Sequence, residues 1–172
     1  NKTIRQPLVR LIDVEMTDCM AEWCTAHVLR YHLGLDNYIK PTNKEWIIPN
    51  KERLLADKVS IGVLGLGILG SAAARKLKKL DFNVVGWSAS KKKINGVKSL
   101  VGPEGLQKIL SKSDFLILLL PLTEQTKNIV NSDSLKLVKN GAILINAGRG
   151  GLVDDNDLLE ALDSGKLSMC TL

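Results

Sequence analysis

Residues 61–70 read Ile-Gly-Val-Leu-Gly-Leu-Gly-Ile-Leu-Gly, a short apolar run that enters a G-x-G-x-x-G turn. Gly65 permits the tight turn, Gly67 lets the backbone approach a pyrophosphate, and Gly70 lets the next helix pack closely on the strand. A lone glycine pattern is weak evidence for dinucleotide binding. The prediction therefore depends on whether a strand precedes this turn and a helix follows it.

The segments on both sides of the turn supply that context. If a helix begins at residue 68, the amides of Ile68 and Leu69 present its N-terminus to an anion. Apolar strands are predicted at 59–65, 83–87, 114–120 and 142–146, with a last strand from Leu167; helices are predicted at 68–80, 103–112 (opened by Pro103), 131–138 and 155–164 (ended by Gly165). Short strands that are nearly all apolar are typical of a parallel sheet covered on both faces. The sequence thus predicts an α/β fold, a doubly wound parallel sheet of the Rossmann type that binds a dinucleotide.

The first 53 residues carry weaker signals. A strand is predicted at 8–12, and a helix at 17–33 with Thr17 or Asp18 as N-cap, Glu22 in its first turn and Gly34 closing it. Residues 35–53 show no clear periodicity and contain prolines and asparagines, which predicts an irregular connection.

The end of the second strand of the repeat bears on the choice of cofactor. Trp87 or Ser88 stands where NAD enzymes usually place an acid for the ribose hydroxyls, so no carboxylate would repel a 2′-phosphate. Ser88 and Ser90 can donate hydrogen bonds, and Lys91 or Lys92 can supply positive charge. This pattern favours NADP, with NAD as the alternative; an exposed basic turn without a ligand explains the same residues.

Composition excludes several classes of protein. The 172 residues are 45% hydrophobic and 24% charged, as in ordinary globular domains, and they contain neither a run of about 20 apolar residues nor a leading signal segment. We therefore expect no membrane span and a cytoplasmic location. The net charge of +6 comes from scattered lysines with only 4% aromatic residues, so nucleic acid is not an expected partner.

The residues that could hold a metal do not form a convincing site. His27 and His32 are five positions apart on the predicted helix, which does not place them on one face. Cys19, Cys24 and Cys170 have no knuckle spacing, so buried free thiols are expected. The acidic group Asp154, Asp155 and Asp157 is placed to cap a helix and complement its dipole.

Three further stretches resemble a known family. They are Met-Ala-Glu-Trp-Cys-Thr-Ala-His-Val-Leu-Arg-Tyr-His at 20–32, Leu-Leu-Pro-Leu-Thr-Glu-Gln-Thr at 119–126, and Ile-Asn-Ala-Gly-Arg-Gly-Gly-Leu-Val-Asp at 145–154. Their order and the N-x-(G/S/A)-R-G pattern of the last resemble the D-2-hydroxyacid dehydrogenases. With Gly86-Trp87-Ser88, the chain looks most like the glyoxylate/hydroxypyruvate reductase A branch of that family.

The resemblance implies an activity and a set of site residues. The family transfers a hydride from NAD(P)H to a small 2-oxo acid. Its loops along the cofactor correspond here to Leu120, Pro121, Leu122 and Thr126 after one strand, and to Ala147, Gly148 and Arg149 after the next. Arg149 would be the catalytic arginine, because a planar guanidinium can grip the carboxylate or the 2-oxo oxygen of the substrate.

The resemblance also implies an incomplete enzyme. Residues 1–15 would be a remnant of the substrate domain with its crossover, and 16–172 a dinucleotide-binding domain that ends before the family's catalytic histidine and glutamate. This chain alone would then be inactive. A homodimer is expected through the first helix, although a core role explains Trp23, Leu29 and Tyr31 equally well. Trp46 is too loosely similar to aromatic residues of relatives to be given a role.

A second function remains open on the sequence. The C-terminal-binding protein corepressors share this fold, and there the nucleotide would act mainly by stabilising an assembly.

Overall fold

A six-stranded parallel sheet forms the centre of the molecule, in the computed structural model that describes residues 13–39 and 54–172. Its strands are β1 (Ser60–Leu64), β2 (Asn83–Trp87), β3 (Lys98–Leu100), β4 (Phe115–Leu118), β5 (Ala142–Asn146) and β6 (Leu167–Thr171). They lie in the order β3-β2-β1-β4-β5-β6, with every neighbouring pair parallel. This order confirms the predicted doubly wound sheet.

Helices cover both faces of the sheet. They are α1 (Val14–Leu33), α2 (Asp36–Ile39), α3 (Ile68–Lys79), α4 (Gly102–Lys112), α5 (Ser132–Leu137) and α6 (Asp155–Asp163), with short 3-10 turns at Ala56–Lys58 and Gly150–Leu152. One core cluster joins α1 and α3 to the sheet, and a second joins α4, α5 and α6 to the opposite face. All four residues of β4 are buried, because this strand is central and covered on both sides.

The first helix begins earlier than the sequence predicted. Asp13 is its N-cap and accepts a hydrogen bond from the amide of Met16 at 3.0 Å, so the predictions of Thr17 or Asp18 as N-cap are wrong. Thr17 lies inside the helix, where its hydroxyl donates back to the carbonyl of Asp13. Glu22 is therefore beyond the first turn, and it forms an ion pair with Lys76 of α3 at 3.0 Å. Gly34 ends the helix at φ 65°, as predicted.

Most of the other boundaries agree with prediction, with three differences. The strands β1 and β4 are shorter than 59–65 and 114–120, because the chain turns into the loops at the edge of the sheet. The three-residue strand β3 was not predicted. Part of the predicted irregular connection forms α2. The predicted strand at 8–12, residues 40–53 and Trp46 lie outside the described residues, and the predicted domain boundary at residue 15 falls within the first turn of α1.

The carboxyl ends of β1 and β4 meet at the centre of the sheet, where the strand order reverses. The amide of Leu119 donates to the carbonyl of Leu64 at 2.8 Å, so the loops that follow these two strands leave side by side. In open parallel sheets, ligands bind in the crevice at this point. Along the part of the chain that the structure describes, no helix is long and apolar enough to cross a membrane.

Candidate functional site

The glycine turn lies between β1 and α3, as the sequence predicted. Gly65 has φ 107°, and a Cβ there would stand 2.5 Å from the carbonyl oxygen of Leu119. A Cβ on Gly70 would come within 1.7 Å of the carbonyl oxygen of Gly65, so the helix packs directly on the turn. These two positions require glycine for reasons internal to the protein.

Gly67 differs from its two neighbours in the motif. Its φ is −72°, which any residue can adopt, and a Cβ there would meet no protein atom within 4 Å. Gly67 is the N-cap of α3 and provides no side-chain acceptor for the first-turn amides of Ile68 and Leu69. The first turn also lacks an acidic residue. The protein thus leaves an open, positively polarised helix end, which suits the approach of a phosphate.

The turn is anchored from the neighbouring strand. Leu66 is buried, and a Cβ added to Gly86 of β2 would lie 2.4 Å from one of its methyl carbons. The absence of a side chain at position 86 therefore makes room for the leucine between two of the motif glycines. This contact explains why position 86 is a glycine.

The segment after β2 is polar and free of carboxylates. Trp87 is half-buried, and its indole Nε1 donates to the carbonyl of Gly102 at 2.8 Å, so this ring also fixes the start of α4. The hydroxyl of Ser88 is buried and donates to the carbonyl of Ser90 at 2.9 Å. Ser90 and Lys91 are exposed. Of the side chains predicted to contact a 2′-phosphate, Ser88 bonds within the loop and shapes it, while Ser90 and Lys91 are exposed to solvent.

The unpredicted strand β3 supports this segment. The amide of Ser88 donates to the carbonyl of Leu100, and the amide of Lys92 donates to the hydroxyl of Ser99 at 3.0 Å. These two hydrogen bonds hold the loop at residues 88–92 against β3. No ion pair found in the described residues involves Lys91, Lys92 or Lys93, so their charges are available to a ligand.

The loop after β4 is closed by one of the predicted residues. The hydroxyl of Thr126 donates to the carbonyl of Pro121 at 2.6 Å and accepts from the amide of Thr123 at 2.8 Å. Leu120 is buried beneath the loop, whereas Leu122 is exposed and packs against Gly151. Thr126 therefore orders the loop, and Pro121 and Leu122 present its surface.

The loop after β5 carries Arg149. Its guanidinium is exposed and donates a hydrogen bond to the carbonyl of Gly148 at 3.2 Å. Ala147 continues the edge of the sheet, since its amide donates to the carbonyl of Leu118. Asn146, the last residue of β5, holds the loop through its side chain, a role that the sequence analysis did not assign. The turn at 65–70 and the loops at 119–126 and 146–149 thus leave the same edge of the sheet.

The histidines lie elsewhere. The ring of His27 contacts that of Trp23 in a tilted arrangement with centroids 4.2 Å apart, and its Nδ1 is 3.4 Å from the hydroxyl of Thr171. Burial, followed by the nearby positive charge of Arg30, lowers the pKa of His27. His32 packs edge-on against Phe82. Both belong to the packing of α1, and within 13–39 and 54–172 no three His, Cys, Asp or Glu side chains form a group that could hold a metal ion.

The acidic residues at the start of α6 have two different structural roles. Asp154 is the N-cap and accepts from the amides of Asn156 and Asp157, which confirms the capping prediction for this residue. The carboxylate of Asp157 instead accepts from the amide of Ser132 and links α6 to α5. Three free thiols are present, but the expectation that they are buried is right only for Cys24. Cys170 is half-buried, and Cys19 is exposed because it lies on the outer face of α1.

Comparison with known proteins gives a consistent result. A family profile described as D-isomer specific 2-hydroxyacid dehydrogenase, NAD binding domain, matches residues 26–172. A glyoxylate/hydroxypyruvate reductase A from Serratia proteamaculans is 40% identical over 169 residues, which cover 96% of this chain and 53% of that protein. The chain thus spans about half the length of the curated relatives that it matches.

Two solved structures are similar over nearly the whole chain. A D-isomer specific 2-hydroxyacid dehydrogenase from Xanthobacter autotrophicus, in complex with NADPH and MES, superposes with a TM-score of 0.90 at 34% identity, covering 100% of this chain and 71% of that one. An NADPH-dependent glyoxylate/hydroxypyruvate reductase from Sinorhizobium meliloti, in complex with NADP and sulfate, gives a TM-score of 0.88 at 37% identity, covering 98% of this chain and 54% of that one.

Proposed function

This chain belongs to the D-isomer specific 2-hydroxyacid dehydrogenase family, as its motifs predicted, and from that membership we propose that the whole protein reduces a small 2-oxo acid to the 2-hydroxy acid with NADPH. Glyoxylate and hydroxypyruvate are the substrates we propose, since similar proteins carry those names. The observation that carries the proposal is the open turn at Gly67 on the same sheet edge as Arg149.

The residues present fit a dinucleotide. The turn at Gly67 and the N-terminus of α3 would hold the pyrophosphate, and the loops at 119–126 and 146–149 would lie along the nicotinamide half. Ser90, Lys91 and Lys92 would recognise a 2′-phosphate, because they are exposed and no carboxylate lies between 87 and 93. When bound, the cofactor supplies the hydride.

Arg149 would act on the substrate. Two parallel N–H donors of its guanidinium match a carboxylate or a 2-oxo oxygen, which orients the carbonyl carbon and favours negative charge on its oxygen in the transition state. The exposed guanidinium is bound only weakly to its own loop, so it can turn to a ligand.

The same proposal covers the domains, the location and the oligomeric state of the whole protein. Residues 1–15 would belong to the substrate domain and its crossover, and 16–172 to the dinucleotide-binding domain, so this chain alone would bind NADPH without turnover. The protein would be cytoplasmic. It would also form a homodimer; Trp23, Leu29 and Tyr31 pack partly buried against the core, so they leave part of their surface for a partner. A monomeric mass by light scattering of the whole protein would contradict the dimer.

The test is turnover of the whole protein on a panel of 2-oxo acids with NADPH and with NADH. We expect reduction of glyoxylate and hydroxypyruvate, faster with NADPH at limiting cofactor. Arg149→Ala should lower kcat/KM on the order of 100-fold or more. Arg75→Ala removes an exposed arginine from α3 and should leave kcat/KM unchanged.

The corepressor-type scaffold is not favoured, because the similar curated proteins are reductases. NADPH-dependent assembly of the whole protein without turnover of any 2-oxo acid would restore that function and refute the reductase.

A further inference from the structure

The side chain of Asn146 spans the loop that carries Arg149. Asn146 ends β5 and is only 8% exposed. Its Oδ1 accepts a hydrogen bond from the amide of Gly148 at 3.0 Å, and its Nδ2 donates to the carbonyl of Arg149 at 3.0 Å. One carboxamide therefore holds the backbone on both sides of the bond that joins Gly148 to Arg149.

The scaffold under this carboxamide is rigid. Asn146 pairs with Leu118 in the register of β4 and β5, and the amide of Ala147 donates to the carbonyl of Leu118 at 3.1 Å. A Cβ on Gly148 would lie 2.8 Å from a methyl carbon of Leu152 and 3.2 Å from the carbonyl oxygen of Leu120. The loop thus packs closely against its neighbours at Gly148 and is tied by Asn146, and these contacts restrain the backbone of Arg149.

The guanidinium itself has no such restraint. It is exposed, and its 3.2 Å bond to the carbonyl of Gly148 is to its own loop. The direction in which the arginine leaves the sheet edge is therefore set by its backbone, and that backbone is set by Asn146. Catalysis depends on such placement, because a shift of about 1 Å can cost on the order of 100-fold in rate.

We propose that Asn146 is a positioning residue that holds the Arg149 loop in the orientation needed to bind the 2-oxo acid. The inference rests on the proposed function of Arg149 and goes beyond it by naming the group that aims the arginine. Both ends of the carboxamide are needed: an acceptor toward Gly148 and a donor toward Arg149. Aspartate keeps the size and the acceptor of asparagine but, when ionised, loses the donor and sets two oxygens against each other.

The decisive variant in the whole protein is therefore Asn146→Asp, measured across pH. In the ionised form we expect kcat/KM for the 2-oxo acid to fall on the order of 100-fold, through both KM and kcat, while the affinity for NADPH changes by less than about threefold. The introduced carboxyl would be buried beside the carbonyl oxygen of Arg149, and both effects should raise its pKa above the usual value of about 4. As the pH falls from about 8 to about 5, part of it should therefore bind a proton and donate to that carbonyl. The activity relative to the parent protein at each pH should then recover at least about tenfold.

Asn131 provides a matched control. Its Oδ1 accepts from the amide of Ser134 at 3.0 Å and its Nδ2 donates to the carbonyl of Asn128 at 3.0 Å, which is the same pair of bonds at the start of α5. Asn131→Asp should keep the parental kcat/KM and show no recovery in acid. Asn146→Ala removes both bonds without adding charge, so it should lose activity at every pH with no recovery.

Several results would overturn the proposal. One is a kcat/KM for Asn146→Asp and Asn146→Ala close to the parental value; another is a loss of kcat/KM in Asn131→Asp equal to that in Asn146→Asp. A loss of NADPH affinity as large as the loss of kcat/KM would also overturn it. So would a failure of both Asn146 variants to fold, which would make the residue a determinant of the fold alone. If only Asn146→Asp fails to fold, Asn146→Ala decides through the comparison of kcat/KM with NADPH affinity.

Hydrogen exchange separates this inference from the function on which it rests. A parent protein that reduces no 2-oxo acid refutes the proposed function. Faster exchange of the amides of residues 148–152 in Asn146→Asp than in Asn131→Asp would still support the positioning role of Asn146, and unchanged exchange would overturn it.

Discussion

At the scale of single residues, the three glycines of the cofactor turn are required for different reasons. Gly65 and Gly70 are demanded by the protein itself, because a Cβ at either would stand too close to a backbone carbonyl oxygen. Gly67 has ordinary backbone angles and open space above it. Its lack of a side chain is explained if a phosphate of the cofactor approaches it from solvent.

This difference predicts opposite behaviour of two alanine variants. Gly67→Ala should fold with a free energy of unfolding within about 1 kcal/mol of the parent, since alanine fits the native backbone, but it should bind NADPH at least about tenfold more weakly. Gly70→Ala should lose several kcal/mol of stability, because its Cβ would overlap the carbonyl oxygen of Gly65. Denaturant unfolding and cofactor titration measure both quantities. Parental NADPH affinity in Gly67→Ala would show that no phosphate approaches this position.

The cysteines offer a second prediction at this scale. Burial raises the pKa of the Cys24 thiol to about 11, and burial likewise raises the pKa of Cys170 to about 11. A raised thiol pKa lowers the thiolate fraction, to roughly one in a thousand at pH 8 for these two residues. Cys19 is exposed.

Iodoacetamide at pH 8 should therefore modify Cys19 of this chain well before Cys24 and Cys170. Peptide mass spectrometry against time gives the three rates, and denaturant should make them similar. A rate for Cys24 equal to that of Cys19 in the folded chain would contradict the packing of α1 on α3.

At the scale of secondary-structure elements, α6 depends on its cap. One carboxylate oxygen of Asp154 accepts from the amides of Asn156 and Asp157, and the other accepts from the side-chain amide of Asn128 at 3.1 Å. The aspartate thereby satisfies the first amides of the helix and ties it to the loop before α5.

Asp154→Ala should lower the free energy of unfolding by about 1–2 kcal/mol, as loss of an N-cap usually does. The neighbouring Asp155 is exposed in the first turn and contributes mainly through the helix dipole, so Asp155→Ala should cost about 0.5 kcal/mol. Chemical denaturation of the two variants tests the difference. Equal losses would mean that net charge, rather than the cap, stabilises the helix.

The elements that the sequence predicted well have strong local signals. The strand β4 is apolar and buried throughout, β1 is so from residue 61 to residue 64, and the glycine turn between β1 and α3 has a fixed spacing. The strand β3 was missed because its residues, Lys98–Leu100, are only three and show no alternation. Its place is set by pairing with β2, a tertiary contact that no local pattern encodes.

The start of α1 and the role of Asn146 were missed for a related reason. Asp13, Thr17 and Asp18 are all good capping residues by type, and only the geometry shows that Asp13 caps. Asn146 was visible in the sequence as part of a motif, but its bonds to Gly148 and Arg149 depend on how the loop turns after β5. A sequence motif shows which residue types are present at the site, whereas the contacts between them depend on the fold.

At the scale of the whole molecule, the cleft is built by the strand order. The reversal between β1 and β4 brings the glycine turn, the loop of Thr126 and the loop of Arg149 to one edge, with the carboxylate-free segment 87–93 beside them. The two cores on opposite faces hold the sheet and so hold these loops in place. We therefore assign cofactor recognition to the described residues and substrate turnover to the whole protein.

Calorimetric titration of this chain with NADPH and with NADH tests the central claim most directly. We expect NADPH to bind at least about tenfold more tightly, with the difference lost on Lys91→Ala and Lys92→Ala together and weakened by salt. Lys79→Ala, an exposed lysine at the end of α3, should change neither affinity. Equal affinity for the two cofactors would contradict recognition of the 2′-phosphate, and binding of neither would contradict a dinucleotide site at this edge of the sheet.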